Sequence, residues 1–303
     1  MLWGSFGLVH IISLLISAGI VVGLYFALRK AGDKAQTIVL GILSFAGISA
    51  VIYNLVRWNS PLEYLPFHLC SLNALVLPFA VFTKNKVLNN LLLLWALGAV
   101  LALVINTAQA DYEVFSWTFF FYYFPHTLEL GIPILMFLLK RTEKDLKCIL
   151  WTVLITLGAL VAIHFINLGI NRYCIAKNIL DWKGDIVQVN YMYTLRPENP
   201  LLQLFYNIIP HEFWYMMMCI PVALVYLSFV YLPEIIKAVK ALKARKATAG
   251  VAEKVAESKT ENGAPSSETA TEIAASASEA NTETENAQAK NADNAKNENA
   301  QAA

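Results

Sequence analysis

Cys70 carries the strongest chemical prospect in this chain. A thiolate attacks a carbonyl readily once a base has taken the thiol proton, and the chain holds five histidines that fit that role. His126 and Glu129 are three residues apart and share a face if that stretch is helical, so the carboxylate is placed to hold the imidazole in one tautomer. His164, Asn167 and Asn171 form a polar stripe on one face of a later stretch, and Cys70 shares a face with Asn73. His68 and Cys70, two apart, point to nearly opposite sides of a regular helix, so a base for Cys70 has to come from another element, with His126 and His164 as candidates. Pro66 weakens that argument if it leaves the turn irregular. The catalytic candidates are therefore Cys70, His126, His164 and Glu129. Residues expected to line a substrate site are Arg57, His68, Asn73, Asn167, Asn171, Asn190, Tyr191 and His211.

Blander roles compete with this one. Histidines and asparagines between apolar helices often only hydrogen-bond one helix to the next. Cys70 also suits a packing site, or a disulfide with Cys174. The four cysteines form no CxxC pair and the histidines no HxxxH or HExxH pair, so neither a metal nor a cofactor is expected.

The elements that must position these groups are apolar. Of 303 residues 57% are hydrophobic and 15% charged, the latter against roughly 25% in a soluble domain. Seven apolar runs, 3–28, 36–56, 62–82, 88–108, 115–139, 148–170 and 211–232, are each long enough to cross a bilayer as a helix, with six as the rival count. The first run lacks the basic start and the short apolar stretch of a signal peptide, and is expected to remain as a membrane helix. The fold class expected is an all-α polytopic bundle over 1–246.

Charge gives a direction. Fourteen basic residues, among them Arg29, Lys30, Lys84, Lys86, Lys140, Arg141, Lys144 and Lys237, follow the first, third, fifth and seventh runs, and five lie on the opposite side. The positive-inside bias then puts the N-terminus outside and the C-terminus in the cytoplasm, as in a multi-pass protein of a bacterial plasma membrane. Residues 1–246 carry 19 Lys and Arg against 12 Asp and Glu, whereas 247–303 carry 4 against 10. That last segment has no aromatic residue and reads as a disordered acidic cytoplasmic tail. Basic residues sit between apolar runs and not along one face, which excludes a nucleic-acid surface. Membrane lipids are the expected partners, and the oligomeric state stays open. The loop 171–209, with tyrosines beside Arg196 and two prolines, reads either as a folded interfacial lid or as a plain connector.

Three segments, Leu65-Pro-Phe-His-Leu-Cys-Ser71, Phe124-Pro-His-Thr-Leu-Glu129 and Asn190-Tyr-Met-Tyr-Thr-Leu-Arg-Pro197, resemble in order and spacing the YwaF family of bacterial integral membrane proteins. The likeness spans about 60–220 and leaves the tail out. More remotely, the chain is similar to a vertebrate transmembrane protein regarded as a cysteine-dependent phospholipid acyltransferase. That similarity implies Cys70 as the acyl-accepting nucleophile and His126 or His164 as its base, although the surroundings of Cys70 differ from the vertebrate version. The functional expectation is a lipid acyltransferase or hydrolase with an acyl-lipid substrate. The alternatives are a small-solute transporter or receptor lined by the same polar groups, and a scaffold in which they only lock helices together.

Overall fold

The apolar runs fold into helices because a helix satisfies its own backbone where no water can. In the computed structural model, which describes residues 1–58, 60–105 and 109–261, the described residues are all-α apart from two isolated β-bridges, Leu2 with Glu113 and Leu180 with Ile186. The helices are α1 (Leu8–Leu28), α2 (Asp33–Ser44), α3 (Ala46–Arg57), α4 (Leu69–Thr83), α5 (Lys86–Val104), α6 (Trp117–Leu138), α7 (Leu146–Lys177), α8 (Pro200–Ile208), α9 (Cys219–Val230) and α10 (Leu232–Glu261). Short 3-10 turns cover Pro61–Glu63, Tyr191–Tyr193 and Trp214–Met218.

Four helical spans are long and apolar enough to cross a membrane: Leu8–Leu28, Asp33–Arg57 through both α2 and α3, Lys86–Val104, and Leu146–Lys177. A fifth is reached if α9 counts with its bent continuation. The seven runs thus map onto helices unequally. α4 is short, at 15 residues, because the chain before it is taken up by the Pro61–Glu63 turn and by Pro66, and helix begins only after His68. It continues unbroken past Pro78. α6 reaches 22 residues but is interrupted chemically by Pro125, His126, Glu129 and Pro133.

Outward faces confirm the surroundings. Leu8, Leu15 and Phe26 on α1, and Leu150, Trp151 and Phe165 on α7, are exposed side chains, an apolar surface that only lipid accommodates on this scale. The main core packs Leu77, Leu91, Leu92, Trp95, Leu128, Ile132 and Leu135 from α4, α5 and α6. The tightest crossing is at Gly47 of α3. A Cβ there would sit 2.4 Å from the Ala74 Cβ of α4 and 2.9 Å from Glu129 Oε1 of α6. Only glycine lets the three helices meet at that point.

Three basic loops share one end. Asp33, at the start of α2, takes Lys84 Nζ at 2.6 Å and Arg141 Nη1 at 3.1 Å, and Arg141 also donates to Gln36 Oε1 at 2.9 Å. Residues after α1, α4 and α6 are therefore tied together, as an alternating up-and-down path requires. Met1–Ile235 form one compact unit, and the second, from Ile236, is helical through Glu261. The boundary expected at 246 falls inside α10, whose Ala, Lys and Glu content favours helix. The remainder of the expected tail, 262–303, lies outside the described residues.

Candidate functional site

His68 occupies the N-cap of α4 in extended backbone and makes no side-chain cap, so the first-turn N–H groups of the helix are left for other acceptors. Cys70 is the second helical residue. The Ser71 hydroxyl and the main-chain N–H groups of Cys70 and Ser71 are the polar groups next to its sulfur. Asn73 follows one turn later, 1% exposed, and neither its amide nitrogen nor its oxygen meets a partner among the described residues.

α6 supplies the facing wall. Glu129 is 3% exposed, with Oε1 against Gly47 and Oε2 unpartnered among the described residues. It is the first electrostatic neighbour of the Cys70 thiol, and Tyr122 and Tyr193 are others. His126, 8% exposed, donates from Nδ1 to the Tyr122 carbonyl at 2.6 Å, and its ring lies 4.4 Å from the Tyr122 ring. A carbonyl can only accept, so the proton of the neutral ring sits on Nδ1 and Nε2 is left basic. The Glu129 carboxylate expected to hold this imidazole does not bond it; the main-chain carbonyl one turn back fixes the tautomer instead.

The segment after α7 is a built cap. Asn167 donates to the Tyr191 carbonyl at 2.8 Å and to Thr194 Oγ1 at 2.9 Å, and receives the Tyr191 N–H at 2.9 Å. Asn171 exchanges bonds with both main-chain groups of Val189. Asn190 donates to the Arg196 carbonyl and Glu198 and receives the Leu195 N–H, closing the turn. Tyr191 reaches the Leu62 carbonyl, and Tyr215 the carbonyl of Tyr193. Met192 and Tyr193 both take positive φ, at 52° and 56°, a left-handed pair that these outside bonds hold in place. The result sets Tyr193 beside the site, its ring 5.5 Å from that of His68. Burial first, then the neighbouring Cys70 and Glu198, push the Tyr193 phenol above its usual range, so it remains a donor at neutral pH.

The expected residues divide accordingly. Cys70 has Glu129 as its electrostatic neighbour and His68 packs its ring against Tyr191 and Tyr193 of the cap, while Asn73 and His126 lie one turn along α4 and α6 from Cys70 and Glu129. His164 goes elsewhere: its Nδ1 meets Thr194 Oγ1 at 3.2 Å, and its ring lies 5.0 Å from Phe213, so it anchors the cap alongside Asn167 and Asn171. Arg57 is exposed and stacks over Trp58 at 5.2 Å, and His211 is exposed in the turn before the Trp214–Met218 segment. His10 receives the Phe6 N–H on Nδ1 and donates from Nε2 to the Leu103 carbonyl, both at 2.8 Å, which occupies it fully in helix packing. All four cysteines are free, and Cys174 is buried among Ile163, Val187 and Tyr191, so the disulfide alternative does not hold. No group of three metal-binding side chains exists among the described residues. Tyr122 and Gly47 enter the site without having stood out in the sequence, and Tyr193 and Thr194 come from the Asn190–Pro197 segment that did. The one signal for Tyr122 was its position a turn before His126.

Residues 5–231 match the model of the TMEM164 family, a match over well more than half of the chain that excludes the tail. No curated protein and no solved structure matches the chain. The chain belongs to the TMEM164 family and, with its apolar helices, is a multi-pass membrane protein.

Proposed function

We propose that this member of the TMEM164 family transfers acyl groups from membrane lipid through Cys70. The observation that carries the reading is a thiol in the first turn of α4, whose N-cap makes no side-chain cap, with the buried Glu129 carboxyl as its electrostatic neighbour and Tyr193 of the cap beside it. The remote similarity to a cysteine-dependent phospholipid acyltransferase points the same way.

The chemistry follows from the groups present. Cys70 Sγ attacks the carbonyl carbon of a lipid ester while its proton passes to Glu129 and on to His126 one turn away on the same face. Collapse of the tetrahedral adduct breaks the carbon–oxygen bond, and the leaving lysolipid oxygen takes the proton. An acceptor hydroxyl then attacks the thioester, returns a proton through the same pair and frees the thiol. With water as acceptor, the outcome is hydrolysis.

The topology proposed with this reaction has seven crossings, α4 and α6 included, with the N-terminus and the capped site outside and the Asp33–Lys84–Arg141 end in the cytoplasm. Its support is the basic loops gathered at that end.

Intact mass of the purified chain after incubation with phospholipid vesicles tests the reading. An added acyl mass on Cys70, removable by hydroxylamine and absent in Cys70→Ala, is expected. A thiol that remains unmodified overturns it. Solute uptake that survives Cys70→Ala but falls with Glu129→Gln would instead assign the buried carboxyl to a transport path.

A further inference from the structure

Asn73 is an anomaly on folding grounds. A side-chain amide removed from water without a hydrogen bond is destabilising, yet this one is 1% exposed and both its polar atoms are unpartnered among the described residues. A leucine of nearly the same shape would fill the position without that cost. Groups that break the rule of satisfied burial are concentrated at functional sites.

Its position says what the amide is for. Asn73 lies one helical turn beyond Cys70, where side chains at i and i+3 have Cβ atoms about 5–6 Å apart. An acyl carbonyl bonded to Sγ fits between them, its oxygen directed away from the sulfur. Among the described residues, the buried side-chain donors lacking a partner are the Asn73 amide, Arg141 Nε and the Ser60 and Thr142 hydroxyls, of which the Asn73 amide is the one on the helix that carries Cys70. Arg141 sits in the ion-paired clamp with Asp33, at the opposite end of the bundle, with Thr142 next to it in the chain. Tyr122 has a hydroxyl near the thiol, but it is already given to the Ala102 carbonyl at 2.9 Å, whereas the first-turn N–H groups of α4 and the Tyr193 phenol are further donors that can act with Asn73. Glu129 and the carbonyls freed by Pro78 and Pro133 are acceptors and would repel a developing oxyanion.

We infer that the Asn73 side-chain amide is a donor that stabilises the oxyanion formed when Cys70 attacks an acyl ester. The inference rests on the acyl-transfer reading. As the Sγ–C bond forms, the carbonyl π pair moves onto oxygen, and the Asn73 N–H meets that charge; collapse returns the pair and expels the lipid alkoxide. The hydrogen bond is made only in the transition state, so it raises the rate and leaves ground-state binding alone. An amide left unpaired in the resting enzyme is what such a role requires.

The experiment compares full-length wild type, Asn73→Leu and Cys70→Ala on vesicles of palmitoyl-oleoyl phosphatidylethanolamine and phosphatidylglycerol. It reads the rate of single-turnover acylation by intact mass, its dependence on lipid concentration, and the thermal midpoint. Asn73→Leu is expected to slow acylation by about 10²–10³-fold, as for loss of one oxyanion donor, to leave the half-saturating lipid concentration in place, and to melt no lower than wild type. Asn73→Ser, which keeps a donor on a shorter arm, is expected to recover part of the rate. Unchanged acylation in Asn73→Leu overturns the inference while leaving the acyl-transfer reading intact. A lower midpoint with acylation falling only in proportion to folded protein overturns it too, making Asn73 structural. A wild-type chain that takes up no acyl group overturns the underlying reading, and the inference with it.

Discussion

Histidine shows how much a residue's neighbours decide. His10, His126 and His164 are alike in type and all sit within apolar helices, yet their ring partners separate them. His10 has both nitrogens bonded, His164 meets the Thr194 hydroxyl of the cap through Nδ1, and His126 gives its Nδ1 proton to the Tyr122 carbonyl within the helix that carries Glu129. Substitution should separate them in the same way. His126→Gln is expected to slow acylation of Cys70 by about 10²-fold or more, the usual worth of a positioned acid–base group, with little change in melting. His10→Ala should leave the acylation rate per folded molecule unchanged and cost about 1–3 kcal/mol of stability from the two buried bonds lost. Single-turnover mass kinetics and thermal melts on the same preparations check both. At Gly47, any side chain meets Ala74 and Glu129, so Gly47→Val should destabilise the crossing by roughly 1–3 kcal/mol.

Elements matter here chiefly through where they start and what ties them down. α4 begins late, after Pro66, which lifts His68 out of the helix and puts Cys70 in its first turn. The rule that residues two apart face opposite sides assumes a regular helix and so fails for this pair. The cap depends on α7, whose Asn167 alone makes three bonds to it. Asn167→Ala should loosen the cap by about 2–3 kcal/mol, taking each bond at about 1 kcal/mol. Limited proteolysis of the 180–198 segment measures this: faster cleavage than wild type is expected, and an unchanged rate would mean the cap is held elsewhere. The stripe of His164, Asn167 and Asn171 was legible from spacing, although its target was the cap and not the thiol.

Across the whole molecule, polarity is segregated by end. The capped site occupies one end, and the Asp33, Lys84 and Arg141 cluster, with the Lys144–Glu234 pair at 3.1 Å, belongs to the loops of the other. In a background lacking the native cysteines, Lys183→Cys should react with a membrane-impermeant maleimide applied to intact cells, and Lys34→Cys only after permeabilisation. The reverse pattern would invert the proposed orientation.

Composition and apolar run length were sufficient to establish a helical membrane protein, and residue type alone singled out Cys70, Asn73, His126 and Glu129 as costly groups to hold in lipid. These are properties of single residues or of one helix, where spacing is repeated every few positions and can be read directly. Which groups meet across helices depends on the rotation and separation of each helix about its neighbours, and those are decided by packing, as where Gly47 admits Ala74 and Glu129. So the nearness of Glu129 to the thiol, the Tyr122 carbonyl that sets the His126 tautomer, the diversion of His164 to the cap and the unpaired amide of Asn73 came only from the tertiary structure.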